Sequence, residues 1–307
     1  MRKYCEIALT SIKGLSIMSQ KGVTADMKKH ILAPINCKEM KLGYLCDVTY
    51  HTFAFHAHEE YEIFYFQKGA VQYYLEDKAY SLVQGDLLLI PPSVMHRAVI
   101  VDENALYQRF ILTLSEDYCC RLLDGVDGIF TRREVKPMHI SLQDEERVDV
   151  HRMLNQIMEQ ENDAAGRLAA DSLCTLLLLR LQKFAQIQTD SEEDSPVQTQ
   201  QFIRYINAHY TEQITLEDIA KRFFISKTHL MRQFKKYTHT TVHNYITTKR
   251  ILLAKALLKE NMAPAEVASA CGFTTYASFY QAFLLHVGIN PRQYANENGG
   301  EKLAGIE

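Results

Sequence analysis

Thr215-Leu-Glu-Asp-Ile-Ala-Lys-Arg-Phe-Phe-Ile-Ser226-Lys-Thr-His-Leu-Met-Arg-Gln-Phe-Lys-Lys-Tyr237 reads as two short helices joined by a tight turn. Thr215 can cap the first helix, and Asp218 stands where a capping box needs its acid. Leu216, Ile219, Ala220 and Phe223 recur at i, i+3, i+4 and i+7, a stripe that must face a core. Phe224-Ile225 makes the turn. Ser226 is a second N-cap, and Leu230, Phe234 and Tyr237 form the inner face of the helix that follows. The opposite face carries Thr228, Arg232 and Lys235, with Met231 and Lys236 at its edges. A helix pinned by one face and polar and basic on the other suits the major groove of DNA.

The unit repeats downstream. Ala265, Val267 and Ala268 lie on a short helix ended by Gly272, and Phe273-Thr274-Thr275 turns the chain into a helix that runs through His286 with Phe279 and Phe283 inward. Its outer face presents Ala277 and Gln281, with Tyr276 and Tyr280 beside them. Between the units, residues 242–260 contain no Gly or Pro and keep helical spacing. Such a helix spans roughly 28 Å, close to the ~34 Å of one duplex turn, so both reading helices can face one side of DNA.

With both units in view, the string Ile214-Thr-Leu-Glu-Asp-Ile-Ala, Ser226-Lys-Thr-His-Leu-Met-Arg-Gln-Phe-Lys-Lys, Ala265-Glu-Val-Ala-Ser-Ala-Cys-Gly-Phe273, Phe279, Phe283 and Gly288-Ile-Asn-Pro291 resembles the AraC/XylS family of bacterial transcription regulators. The resemblance covers about residues 200–295. It implies that Thr228, Met231 and Arg232 in the first unit, and Tyr276, Ala277 and Gln281 in the second, stand at base-reading positions. It also implies a sensory domain upstream and leans toward activation, with RNA polymerase as the further partner. The sequence departs from the family at three places. His239 replaces a usual Gly, Leu284-Leu285 a usual basic pair, and Gln281 a frequent Arg, so the second unit is expected to hold phosphates more weakly than the first.

Periodicity alone would suit an ordinary helical domain equally well; charge separates the two readings. From Pro196 onward lie 13 of the 34 Lys and Arg but only 8 of the 37 Asp and Glu, a net of +5 against −8 upstream. A basic end hidden in a chain of net charge −3 is the pattern of nucleic-acid binding. Seven cysteines, an odd number without a C-x-x-C pair, argue for a reducing compartment rather than a disulfide framework or a zinc finger. No stretch reads as an export signal or a membrane span: the greasiest run, Leu173 to Leu181, is short and broken by Arg180. The expected location is the cytoplasm.

The fold class is therefore α+β in several domains. Residues 1–140 are read as a cupin-like β-barrel that senses an effector, 141–187 as two amphipathic helices, 188–197 as a polar acidic linker, 198–296 as an all-α domain with two helix-turn-helix units, and 297–307 as a tail. Strands are expected at Glu62 to Gln67, Val71 to Leu75, Asp86 to Ile90 and Leu106 to Leu114, punctuated by Gly69, Gly85 and Pro91-Pro92. Within them His56-Ala-His58-Glu-Glu-Tyr-Glu62 and, further on, Gly85, Pro91 and His96 resemble the two motifs of the cupin barrel. Ser93 and Ile100 depart from the second motif. Alternation places His56, His58 and Glu62 on one face, with Phe64 and Phe66 continuing the lining.

Three histidines and a carboxylate are chemically sufficient for a divalent metal such as Zn, Fe or Mn. They are equally sufficient to hydrogen-bond a sugar or a carboxylate ligand with no metal at all, and the family resemblance favours that reading. The expected effector site is His56, His58, Glu62, Phe64 and His96, with no catalytic residue and no cofactor. The competing reading is a metal-dependent cupin enzyme, an isomerase or dioxygenase, tethered by a basic helical domain. In the two helices, Val150, Met153, Leu154, Ile157 and Met158, then Leu168, Leu173, Leu176, Leu177, Leu179 and Leu181, carry more apolar surface than one barrel is expected to cover. A homodimer interface is the economical expectation, with packing against the barrel as its alternative.

Overall fold

The computed structural model describes residues 29–47, 53–102, 106–130, 135–187 and 198–298. The expected linker and nearly all of the expected tail lie outside them. Among these described residues, the N-terminal half shows nine strands in two antiparallel sheets. One has the order β1 (Lys29–Leu32), β2 (Met40–Asp47), β8 (Tyr107–Leu114), β3 (Tyr61–Lys68), β6 (Asp86–Ile90), β9 (Met138–Ser141); the other runs β5 (Lys78–Ser81), β4 (Val71–Leu75), β7 (His96–Ile100). The four expected strands form β3, β4, β6 and β8, while β1, β2, β5, β7 and β9 were not anticipated.

Strand β3 explains the layering. Its aromatic and β-branched run is buried on both faces, which alternation assigns to two different cores. Phe64 and Phe66 point between the sheets, where they meet Leu88, Ile90, Tyr73 and Tyr107. Ile63 and Tyr65 point the other way, with Leu87, Leu89, Phe110 and Leu112, toward helices α1 (Glu116–Leu122), α2 (Asp144–Met158) and α3 (Ala164–Ile187). Val150, Leu154, Ile157, Leu177, Leu178 and Leu181 are fully buried in that second core. The expectation of more apolar surface than the barrel can cover is thus corrected: a sheet apolar on both sides covers most of it. Leu168, Leu176 and Leu179 remain 70%, 44% and 39% exposed.

The C-terminal half is helical: α4 (Gln198–His209), α5 (Leu216–Arg222), α6 (Lys227–Thr238), α7 (Val242–Lys259), α8 (Pro264–Ala270), α9 (Tyr276–Val287) and α10 (Pro291–Asn298). The local signals act as written in the sequence. Thr215 and Asp218 close a reciprocal capping box on α5, and Ser226 and Thr275 accept from the backbone N–H of His229 and Ser278 to start the two reading helices. Gly272 has φ +80, and a Cβ there would lie 2.3 Å from the Thr211 carbonyl oxygen, so only glycine fits. Among the described residues of this half, three other left-handed positions are not glycine: Phe224 in the first turn (φ 55), His239 after α6 (φ 56) and Asn261 after α7 (φ 63). Helix α10, the last element among the described residues, was not anticipated.

Candidate DNA-binding face and effector site

Leu230 and Phe234 on α6, and Phe279 and Phe283 on α9, are fully buried. That anchors one face of each helix and leaves the other in solvent. Thr228, Met231, Arg232, Lys235 and Lys236 are all exposed, as are Tyr276, Ala277 and Gln281, while Tyr280 is half-buried. Helix α7, with 18 residues, holds the two units apart over roughly 27 Å. The face of α9 is the more apolar, with Leu285 84% exposed beside Gln281. Sequence reading gave Phe224 no part beyond the turn itself, yet its ring is 95% exposed at the tip of that turn.

The structure brings His58, Glu62 and His96 together at one end of the barrel. The Glu62 carboxylate, 7% exposed, has one oxygen 2.9 Å from His58 Nε2 and 3.8 Å from His96 Nε2. Tyr73 donates to its other oxygen over 3.5 Å. Burial works to raise the Glu62 carboxyl, but the His58 hydrogen bond and the neighbouring imidazoles outweigh it and hold the group ionised. Burial would lower His58, but the Glu62 bond and charge raise it. Burial dominates at His96 and lowers it to about 4, so that ring is neutral. The His56 ring lies 4.3 Å from His96 but is itself exposed, and Phe64 lies one layer deeper, 4.7 Å from Tyr73 in the filled interior.

The expected cavity inside the barrel is corrected by this packing. Bulky residues occupy the space between the sheets, and the site opens instead into a cleft of about 280 Å³ between barrel and helices, lined by His58, Glu60, Thr248, Lys255 and His286 among others. The barrel end forms the wall of that cleft because residues around His56 pair with the start of β7. His56 and His96 each donate a backbone N–H to the other's carbonyl, over 3.1 and 2.8 Å.

That short ladder has two faces. His56 and His96 point to the site, while Phe55, Ala57 and Met95 belong to the apolar cluster of Phe202, Ile206, Leu230, Phe234 and Tyr245 in the helical half. Arg97, 3% exposed, lies with its guanidinium carbon 5.4, 4.8 and 5.7 Å from the rings of Phe55, Tyr74 and Tyr237, the last of these on α6. The Phe55 N–H donates to the carbonyl of Thr238, the last residue of α6. Around this core, acids of the barrel meet bases of the helices. Glu59 pairs with Lys255 and with Lys259 (2.8 Å), Glu76 with Lys249 (2.7 Å) and Asp77 with Arg204 (2.7 Å). Tyr294 donates to Glu59 as well. Burial would raise the Glu59 carboxyl, yet its two lysines bring it down to about 2. Lowered in this way, Glu59 stays ionised at neutral pH, and its share of the pairing is lost only as pH falls below the ordinary carboxylate range.

A sensor end with convergent polar groups, joined to two exposed reading helices, defines a two-domain DNA-binding regulator. Known proteins agree. The model of the AraC-like ligand binding domain matches residues 43–178, and that of a helix-turn-helix domain matches residues 219–297. The chain is 27% identical over 71% of its length to the uncharacterized HTH-type transcriptional regulator YbfI of Bacillus subtilis, covering 78% of that protein. It is 26% identical over 81% of its length to the HTH-type transcriptional activator RhaR of an Enterobacter species, covering 89% of it. A crystal structure of apo ToxT from Vibrio cholerae aligns with 86% of this chain and 99% of its own at 13% identity, with a TM-score of 0.40. The chain belongs to the AraC/XylS family of transcription regulators. It binds DNA through its helix-turn-helix domain and carries a ligand-binding domain. The reading of a tethered metal-dependent enzyme falls, because the relatives are regulators. No helix among the described residues is long and apolar enough to cross a membrane.

Proposed function

We propose that this regulator is an activator whose operator affinity changes when a small polar molecule binds beside His56, His58, Glu62 and His96. A sugar is the class that such a set of donors and acceptors suits. One observation carries the reading: the ladder of residues 55–57 and 95–97 has the histidines of the site on one face and the anchors of the helical half on the other. A ligand that moves His56 or His96 must tilt Phe55 and Arg97, and with them Tyr237 in the last turn of α6. Packed junctions of this kind switch between arrangements rather than deform continuously, and a ligand biases them by its differential contacts.

Activation is supported by the similarity to RhaR and to RhaS, the latter 22% identical over 78% of this chain, both named transcriptional activators. An activator would engage RNA polymerase, and work on DNA would place it in the cytoplasm. Dimerisation through α2 and α3 now rests on the stripe of Leu168, Leu176 and Leu179. A fragment of residues 1–190 should sediment as a dimer; a monomer would assign the helices wholly to the barrel.

The effector reading is tested by operator binding with and without fractionated cell metabolites, for wild type and Glu62→Gln. Wild type should change affinity by about 5–150-fold with at least one fraction, the usual range of such coupling. Glu62→Gln should keep its basal affinity and lose the response. A wild type indifferent to every fraction, or a variant that responds normally, would remove the sensory role from this site.

A further inference from the structure

We propose that His58, Glu62 and His96 hold a divalent transition-metal ion of the zinc type, bound through His58 Nε2, Glu62 Oε2 and His96 Nε2. The argument starts from the ring nitrogens that face away. His58 Nδ1 lies 2.9 Å from the Glu60 carbonyl oxygen, and His96 Nδ1 lies 2.8 Å from that of Val94. A carbonyl only accepts, so both Nδ1 atoms carry hydrogen. This fixes the tautomer of His96 and leaves its Nε2 with a lone pair. Imidazoles that ligate metals are oriented in this way, by a second nitrogen that donates to backbone or carboxylate.

The His96 Nε2 atom is fully buried and, among the described residues, meets no hydrogen-bond partner. What it faces is a carboxylate oxygen at 3.8 Å, a second lone-pair atom. A proton shared by His58 and Glu62 satisfies that pair and leaves His96 as before. A cation among the three satisfies all of them at once, taking the place of any proton on His58 Nε2. The spacing suits it: the three ligand atoms lie within 4.8 Å of one another, and two ligands at tetrahedral zinc stand roughly 3.3 Å apart. The Glu62 oxygen stands 2.9 and 3.8 Å from the two imidazole nitrogens, either side of that value, and the nitrogens themselves, within 4.8 Å of each other, close the set by side-chain rotation. Three protein ligands leave a coordination position open, and His58, which lines the cleft, marks the direction in which it opens. An effector with a carboxylate or hydroxyl oxygen would complete the shell from there. This last step rests on the effector reading above; the ion itself does not.

The full chain, stripped with a chelator, is titrated with Zn²⁺ against a chromophoric competitor, alongside His58→Ala, Glu62→Gln and, as a control for thiol binding, Cys120→Ser. Cys120 is exposed and His58 is partly so, which keeps both variants foldable if the buried Glu62 change fails. The expected result is one ion per chain, weakened at least ~100-fold by His58→Ala and Glu62→Gln, the upper end of what loss of even an outer-shell partner costs. Cys120→Ser should bind as wild type, and Co²⁺ in place of Zn²⁺ should show a spectrum of nitrogen and oxygen ligation without thiolate. Fewer than one ion per chain, thiolate ligation, or affinity unaltered by the His58 and Glu62 changes overturns the proposal. No DNA or metabolite enters the titration, so its failure leaves the effector reading standing, and failure of the operator assay leaves the ion in place.

Discussion

Phe234→Ala is expected to cost about 3–5 kcal/mol of stability, enough to unfold the helical half of a marginally stable protein. Phe234 is fully buried, stacks edge-on to Tyr245 at 5.5 Å, and holds α6 against α4 and α7 in the cluster that also takes in Phe55 of the barrel. Its loss opens a cavity in the layer that sets the angle of the reading helix. Phe224→Ala supplies the contrast, because that ring is 95% exposed and buries almost nothing. It should stay within about 0.5 kcal/mol of wild type. Urea denaturation of the three proteins checks both statements. A Phe234→Ala loss below about 1 kcal/mol would mean that α6 is not anchored as described.

Arg232→Ala is expected to cost about 1–3 kcal/mol of operator affinity, up to roughly a hundredfold, and to relax specificity at one base pair. Arg232 is exposed on the outward face of α6 and, among the described residues, forms no ion pair; its nearest polar partner is His229 Nδ1 at 3.5 Å. Its fork is therefore available to guanine O6 and N7. Competition binding with operator and random duplex separates the alternatives. Equal weakening on both would show that Arg232 touches only phosphate.

Much of this was legible because it is local. The caps at Thr215, Ser226 and Thr275, the stripe of Leu230 and Phe234, and the outward set around Arg232 follow from spacing within one or two helical turns. That His56, His58 and Glu62 share a face was legible from strand alternation, whereas the place of His96 beside them came only from the resemblance to the second cupin motif. The junction was not. Phe55 and Glu59 drew no reading from the sequence, although alternation that sends His56 and His58 one way must send their neighbours the other. Arg97 and Tyr237 meet only through the tertiary fold. Nor is the basic surplus of the C-terminal half all for DNA: Arg204, Lys249, Lys255 and Lys259 pair with acids of the barrel. The charge split records domain docking as well as nucleic-acid binding. Strands β1 and β9 escaped notice because Lys-His-Ile-Leu and Met-His-Ile-Ser are too short to display a period.

In the proposed function, the site and the reading helix move together through the ladder at His56 and His96. Linkage is reciprocal, so binding at the DNA end must be felt at the site. Hydrogen exchange of the full chain, with and without a duplex carrying its genomic site, reads this without knowledge of the effector. The amides of His56 and His96 are expected to change protection when α6 engages DNA. Unchanged exchange at both, while the amides of α6 become protected, would contradict it.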